Sequence, residues 1–217
     1  MAERKPRRPL VERAGAVADV LLREFPDATC ALHYSNAFEL VVATILSAQC
    51  TDERVNMVTP GLFKRYPSPR AFAESPPGEL EEAIHSTGFF NNKAKAIREM
   101  ARGVEERFGG RVPAAMEELL TLRGVARKTA NVVRANAFGM PAITVDTHFT
   151  RISHRLGLTK EDDPEKIEFD VAALLAPERY SHFSHAVILH GRRTCKARKP
   201  ACGECPLGGL CPSRESA

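Results

Sequence analysis

Leu122-Arg123-Gly124-Val125-Ala126-Arg127-Lys128-Thr129-Ala130 lies between two stretches that read as helices, residues 113–121 and 127–138. A glycine in so short a turn adopts positive φ without steric penalty and exposes backbone N–H groups. The second helix is expected to start near Arg127, where free N–H groups and the helix dipole attract phosphate. Arg123 and Arg127 add charge, and Gly124 and Ala126 present backbone at the turn. Two helices around such a hairpin grip a phosphate backbone without reading its sequence. An ordinary helix–helix corner has the same pattern, so the hairpin alone leaves both readings open.

The pattern outward from the hairpin is helical nearly throughout. Ala14, Val17, Val20 and Leu21 mark a helix over residues 10–24. Residues 37–48 are strongly apolar and read as a buried helix. Pro60, Pro67 and Pro69 punctuate the stretch after it. Residues 78–86 and 92–107 are amphipathic, with Gly109-Gly110 as the stop. Residues 164–175 and 181–190 give two more helices. Ala142-Ile143-Thr144-Val145 is the one strand-like segment and is too short to found a sheet. The expected fold class is all-α.

Lys128 falls in the first turn of the helix after the hairpin, where the partial positive charge of the dipole disfavours an ammonium. Partial burial would push the same way. A neutral amine is a nucleophile that forms a Schiff base with an aldehyde-level carbon. The C1′ of a deoxyribose becomes such a carbon when its base leaves. The plainer reading is a surface lysine or a phosphate clamp. Asp146, in Ile143-Thr144-Val145-Asp146-Thr147-His148, is placed to steer the lysine's proton or to stabilise positive charge growing on a sugar. It is equally placed to cap a helix, and both roles are compatible.

Four of the six cysteines crowd the C-terminus as Cys195-x6-Cys202-x2-Cys205-x5-Cys211. A secreted disulfide fold would spread its bridges along the chain, so this loop points to a metal or cluster site. Four thiolates can hold a [4Fe–4S] cluster, one per iron corner. Tetrahedral zinc usually takes two close pairs, and only one pair here is close, which favours the cluster. Free clustered thiols would invite oxidation. With every corner filled by protein, the cluster reads as a staple for a basic loop. Lys196, Arg198 and Lys199 lie between the first two ligands.

The net charge of +4 is modest, so its distribution matters more. Arg4, Lys5, Arg7, Arg8 and Arg13 stand near the start against Glu3 and Glu12. Arg192, Arg193, Lys196, Arg198 and Lys199 stand together with no acid among them. Such concentration suits a polyanion, although a pair of solvated tails would look the same. A composition of 43% hydrophobic and 27% charged residues is that of an ordinary soluble protein. No apolar run approaches the roughly 18 residues of a membrane span. No secretory signal is evident at the start, and a cytoplasmic, nucleoid-associated location is expected.

Taken together, the chain resembles the endonuclease III family, iron–sulphur DNA glycosylases of the helix–hairpin–helix superfamily. The resemblance runs from about residue 15 to residue 212. It is carried by Leu46-Ser47-Ala48-Gln49-Cys50-Thr51-Asp52, Gly88-Phe89-Phe90-Asn91, the hairpin with Gly124 and Lys128, Val145-Asp146-Thr147-His148, Leu189-His190-Gly191-Arg192 and the four-cysteine loop. The family implies two helical lobes with a DNA-binding cleft between them. Residues 30–140 would form the helical barrel with the hairpin. Residues 1–29 and 141–217 would form the lobe around the cluster.

By the same resemblance Lys128 is the nucleophile, Asp146 its carboxylate partner, and the substrate an oxidised pyrimidine flipped out of duplex DNA. Base removal followed by β-elimination makes the activity bifunctional, glycosylase and abasic-site lyase. Gln49 matches a residue that fills the gap left by the flipped nucleotide. Phe89 falls where relatives place an apolar wedge, with Phe90 as the alternative. The expected partner is damaged double-stranded DNA, bound by a monomer with no role for a membrane.

Two departures stand in the hairpin, which usually reads LPGVG. Arg123 replaces proline, and Ala126 replaces the second glycine and adds a Cβ. Sister glycosylases are disfavoured. Thymine-mismatch relatives carry Tyr at the position of Lys128, and adenine glycosylases carry a Glu where this chain has Ala43-Thr44-Ile45. A non-catalytic or weakly active damaged-DNA-binding paralogue is the alternative, and the presence of both Lys128 and Asp146 argues against it. A small iron–sulphur electron carrier would need neither the hairpin nor a second lobe.

Overall fold

The computed structural model describes residues 8–214, all helix, turn and irregular chain with no strand among them. Arg4, Lys5 and Arg7 of the basic start lie outside the described residues. The chain divides into two compact units. One is Cys30–Met140, and the other joins Met1–Thr29 to Pro141–Ala217.

The first unit is built around α2 (Ala37–Leu46). Asn36 caps it by accepting from the Glu39 N–H, and Glu39 reaches back to the Ser35 N–H. Phe38, Leu40, Val41, Val42, Ala43, Ile45 and Leu46 are buried, so apolar residues cover α2 nearly all round, as a central helix requires. Around it stand α3 (Asp52–Arg65), α4 (Pro69–Ala73), α5 (Glu79–Ala83), a 3₁₀ turn His85–Thr87, α6 (Phe90–Phe108), α7 (Met116–Leu119) and α8 (Arg127–Ala137). Arg98 of α6 makes a bidentate pair with Glu81 of α5, both contacts at 2.6 Å. The guanidinium holds the Glu81 carboxyl at about 2.

The structure corrects three expectations. Residues 52–65 form a helix despite Pro60, which is exposed. Only the one hydrogen bond that its missing N–H would make to Asn56 is lost. Thr51 caps this helix through the Arg54 N–H, and Asp52 and Glu53 fill its first turn. The helix expected over 113–121 shrinks to Met116–Leu119. The Thr121 hydroxyl donates to the Glu118 carbonyl at 2.6 Å and the Leu122 N–H to the Leu119 carbonyl, which tightens the chain into a turn. The helix expected over 78–86 breaks into α5 and the 3₁₀ turn.

The second unit packs α1 (Arg8–Glu24), α9 (Thr147–Arg155), α10 (Pro164–Ala172) and α11 (Tyr180–Arg193) around Val17, Leu21, Phe149, Ile152, Phe183 and Val187, all at most 1% exposed. Phe149 and Phe183 meet edge to face. Ala142–Val145 is buried and forms no strand; the Thr144 N–H donates to the Ser184 hydroxyl at 2.9 Å. Among the described residues, no helix is long and apolar enough to cross a membrane.

Candidate functional site

The hairpin turns at Gly124, whose φ is +78°. A Cβ there would stand 3.2 Å from the Ala96 Cβ and 3.5 Å from Ile45 Cδ1. Glycine is therefore required by backbone conformation and by space. Gly124→Ala is expected to cost about 1–2 kcal/mol from the left-handed conformation alone, with the tight Ala96 contact adding to it. Urea denaturation checks this, and an unchanged midpoint would contradict it.

Ala126 precedes α8 with φ −87° and ψ 170° and makes no side-chain cap. Its extended backbone suits any residue, so alanine in place of glycine brings no strain. No side chain at the N-cap takes up the first N–H groups of α8. Arg123 is exposed, with its Nε 3.4 Å from Glu99 of α6, a surface pair of little energetic weight. Arg127 is half-buried and Lys128 exposed in the first turn of α8. The burial expected at Lys128 is thus absent. What the fold supplies is an accessible amine at the positive end of a helix.

Two other segments of this unit present exposed residues in a rare backbone state. Gln49 comes after α2 with φ +53°, and Phe89 precedes α6 with φ +47°. Both side chains are exposed, and Phe89 is 60% exposed. Phe90 is different. It packs against His85, ring centres 4.4 Å apart, and leans on the core. Of the two adjacent aromatics, Phe89 is therefore the one free to reach a ligand.

In the other unit, Asp146 caps α9. Its Oδ1 accepts from the Phe149 N–H at 2.7 Å, and the second carboxylate oxygen takes no hydrogen bond from the described residues. Lys128 and Asp146 belong to different units.

The C-terminal loop begins where α11 ends, with the Thr194 and Cys195 N–H groups both on the His190 carbonyl. Two arginines of α9 that the sequence pattern did not single out tie it down. Arg151 donates to the Gly191 and Cys195 carbonyls at 3.0 and 3.1 Å. Arg155 donates to Cys195 Sγ at 3.1 Å and to the Lys196 and Ala197 carbonyls at 2.9 and 3.1 Å. Lys196, Arg198 and Lys199 are exposed on the loop so held, and Arg192 is exposed on the last turn of α11.

Cys195, Cys202, Cys205 and Cys211 all line one apolar cavity, with Ile152 and Leu207 among its walls. Burial pushes the Cys205 thiol up, and the other three thiols act on it in the same direction. Four sulphur donors facing one apolar cavity suit a group that binds them as thiolates and neutralises their charge. Four cysteines lining one cavity supply one thiolate for each iron of a [4Fe–4S] cluster. The donor set and its cavity fit the cluster.

Comparison with known proteins agrees with this geometry. Residues 42–177 match the model of the HhH-GPD superfamily of base excision DNA repair proteins. Residues 195–211 match the iron–sulphur binding domain of endonuclease III. An endonuclease III from Synechocystis sp. is 57% identical over 94% of this chain and 94% of its own length. One from Bacillus subtilis is 48% identical over 86% of each. A solved non-covalent endonuclease III–DNA complex superposes with a TM-score of 0.90 at 42% identity, covering 95% of this chain and 97% of that one.

Proposed function

Since this chain belongs to the endonuclease III family of the HhH-GPD superfamily of base excision DNA repair proteins, we propose that Lys128 is its nucleophile and Asp146 the carboxylate that serves it. The chain is a DNA glycosylase with abasic-site lyase activity and an iron–sulphur cluster. The observation that carries the assignment is the accessible Lys128 amine on the uncapped first turn of α8, beside a glycine turn.

The substrate is duplex DNA with an oxidised pyrimidine, and the enzyme acts as a monomer in the cytoplasm, at the nucleoid. The N–H groups around Gly124 and Ala126, with Arg123 and Arg127, hold phosphates of the lesion strand. Phe89 wedges the stack and Gln49 occupies the space of the extruded nucleotide. Arg192, Lys196, Arg198 and Lys199 add sequence-independent phosphate contacts. Cys195, Cys202, Cys205 and Cys211 ligate the cluster, which serves to fix that basic loop.

In the chemical step the Lys128 amine attacks C1′. The bond from C1′ to the base breaks, and its electron pair leaves with the base, which takes a proton. The amine loses its proton and the sugar ring opens to a Schiff base at C1′. Removal of a C2′ proton then expels the 3′ phosphate by β-elimination. Water finally releases Lys128 and leaves an unsaturated aldehyde on the DNA end. Asp146 stabilises the positive charge that develops on the sugar and moves the proton.

Asp146→Asn separates chemistry from capping. Asparagine caps a helix as well as aspartate does, so α9 should keep its stability. Activity on a duplex carrying one thymine glycol should fall by about 10²–10⁴-fold, whereas wild-type enzyme yields the β-eliminated end. An Asn variant with full activity would reduce Asp146 to a cap.

A further inference from the structure

Lys93 is a lysine inside the first unit, on α6 and 5% exposed. Its ammonium donates to the Leu46 carbonyl at 2.7 Å and to the Thr87 carbonyl at 2.8 Å. Leu46 is the last residue of α2 and Thr87 the last of the 3₁₀ turn. Both carbonyls sit where a helix leaves its acceptors without partners and carries partial negative charge. Burial works against the charged form of Lys93, and the nearby Cys50 works for it.

The two segments it joins are those with left-handed backbone. Gln49 comes three residues after Leu46, and Phe89 two residues after Thr87. Among the described residues, only these two and Lys199 combine a side chain with positive φ. Each such residue costs on the order of 1–3 kcal/mol and persists only where its surroundings over-determine it. The Lys93 side chain thus fixes the chain just before Gln49 and just before Phe89.

We propose that Lys93 is a positioning residue that locks the Gln49 and Phe89 segments at one spacing, so that plug and wedge enter the duplex together. The inference rests on the reading of Gln49 and Phe89 as DNA-contacting residues. Its signature is selectivity for the step that opens the stack. A single-stranded abasic site already exposes its sugar and needs Lys128 without needing the plug or the wedge.

The test compares single-turnover rates on a thymine-glycol duplex and on a single-stranded abasic oligonucleotide. Lys93→Met removes the charge at similar length. It should slow the duplex reaction by about 10- to 100-fold and the single-strand reaction by no more than about threefold, with Lys93→Arg regaining part of the duplex rate. If Lys93→Met does not fold, Lys93→Gln and Lys93→Arg carry the same comparison. Gln49→Ala and Phe89→Ala should each slow the duplex reaction, and Phe89→Ala combined with Lys93→Met should lose far less than the product of the two. Equal losses on both substrates, or an unimpaired Lys93→Met beside impaired Gln49→Ala and Phe89→Ala, would overturn the role of Lys93. Unimpaired Gln49→Ala and Phe89→Ala would instead overturn the DNA-contact reading beneath it.

Discussion

Replacing Lys128 by alanine is expected to lower both base release and strand cleavage on an oxidised-pyrimidine duplex by about 10³-fold or more. The two activities fall together because the Schiff base formed on base loss is also the species that undergoes β-elimination. The fold should be untouched. Lys128 is exposed on the first turn of α8, and alanine at an exposed helical position shifts stability by no more than about 0.5 kcal/mol. The cluster, in the other unit, should be retained. Rates measured under single-turnover conditions, beside iron content and a melting curve, separate lost chemistry from lost structure. A variant that still nicks the duplex at near the wild-type rate would move the nucleophile elsewhere.

Replacing Cys205 by alanine is expected to strip the cluster. Wild-type protein should be brown with about four irons per chain, and the variant colourless. Beyond the Arg151 and Arg155 bonds to its first three residues, the segment 195–211 has little else to hold it. Leu207 is its one residue among the large buried hydrophobics of that unit, and its internal backbone bonds are short-range turns, such as Gly208 to Cys205 and Glu204 to Ala201. Far-ultraviolet dichroism should change little, because α1, α9, α10 and α11 have their own core. DNA affinity should change more. Lys196, Arg198 and Lys199 would lose their fixed aim, and the slope of log affinity against log salt should become shallower by about two to three. A wild-type protein that carries zinc, or a variant that keeps iron and salt slope, would contradict this account.

The all-helical class was legible in the three- and four-residue spacing of apolar residues, and the start of α8 at Arg127 in the turn chemistry before it. Gly124 was legible because a tight hairpin needs positive φ. Pro60 misled, since one proline on an exposed face removes a single hydrogen bond without ending a helix. The four cysteines were legible because thiols carry their chemistry in their identity. Arg151 and Arg155 were not. Their partners are carbonyls and a thiol some 40 residues away in sequence, and a backbone acceptor leaves no trace in residue type. Lys93 had a visible anomaly, a charge at four, seven and eleven residues before Ile97, Met100 and Val104 on the buried face of α6. Its two carbonyl partners were invisible for the same reason. Choosing Phe89 over Phe90 needed the structure, because exposure of the one and packing of the other on His85 separate two neighbours that are identical in sequence.

The central claim is covalent bonding between the Lys128 amine and C1′ of the damaged nucleotide, and it is tested most directly by borohydride reduction during turnover with peptide mapping of the product. The reduced enzyme–DNA adduct should form on a thymine-glycol duplex, and its sugar remnant should map to Lys128. No adduct, or one mapped to another amine or still formed by Lys128→Ala, would contradict the account.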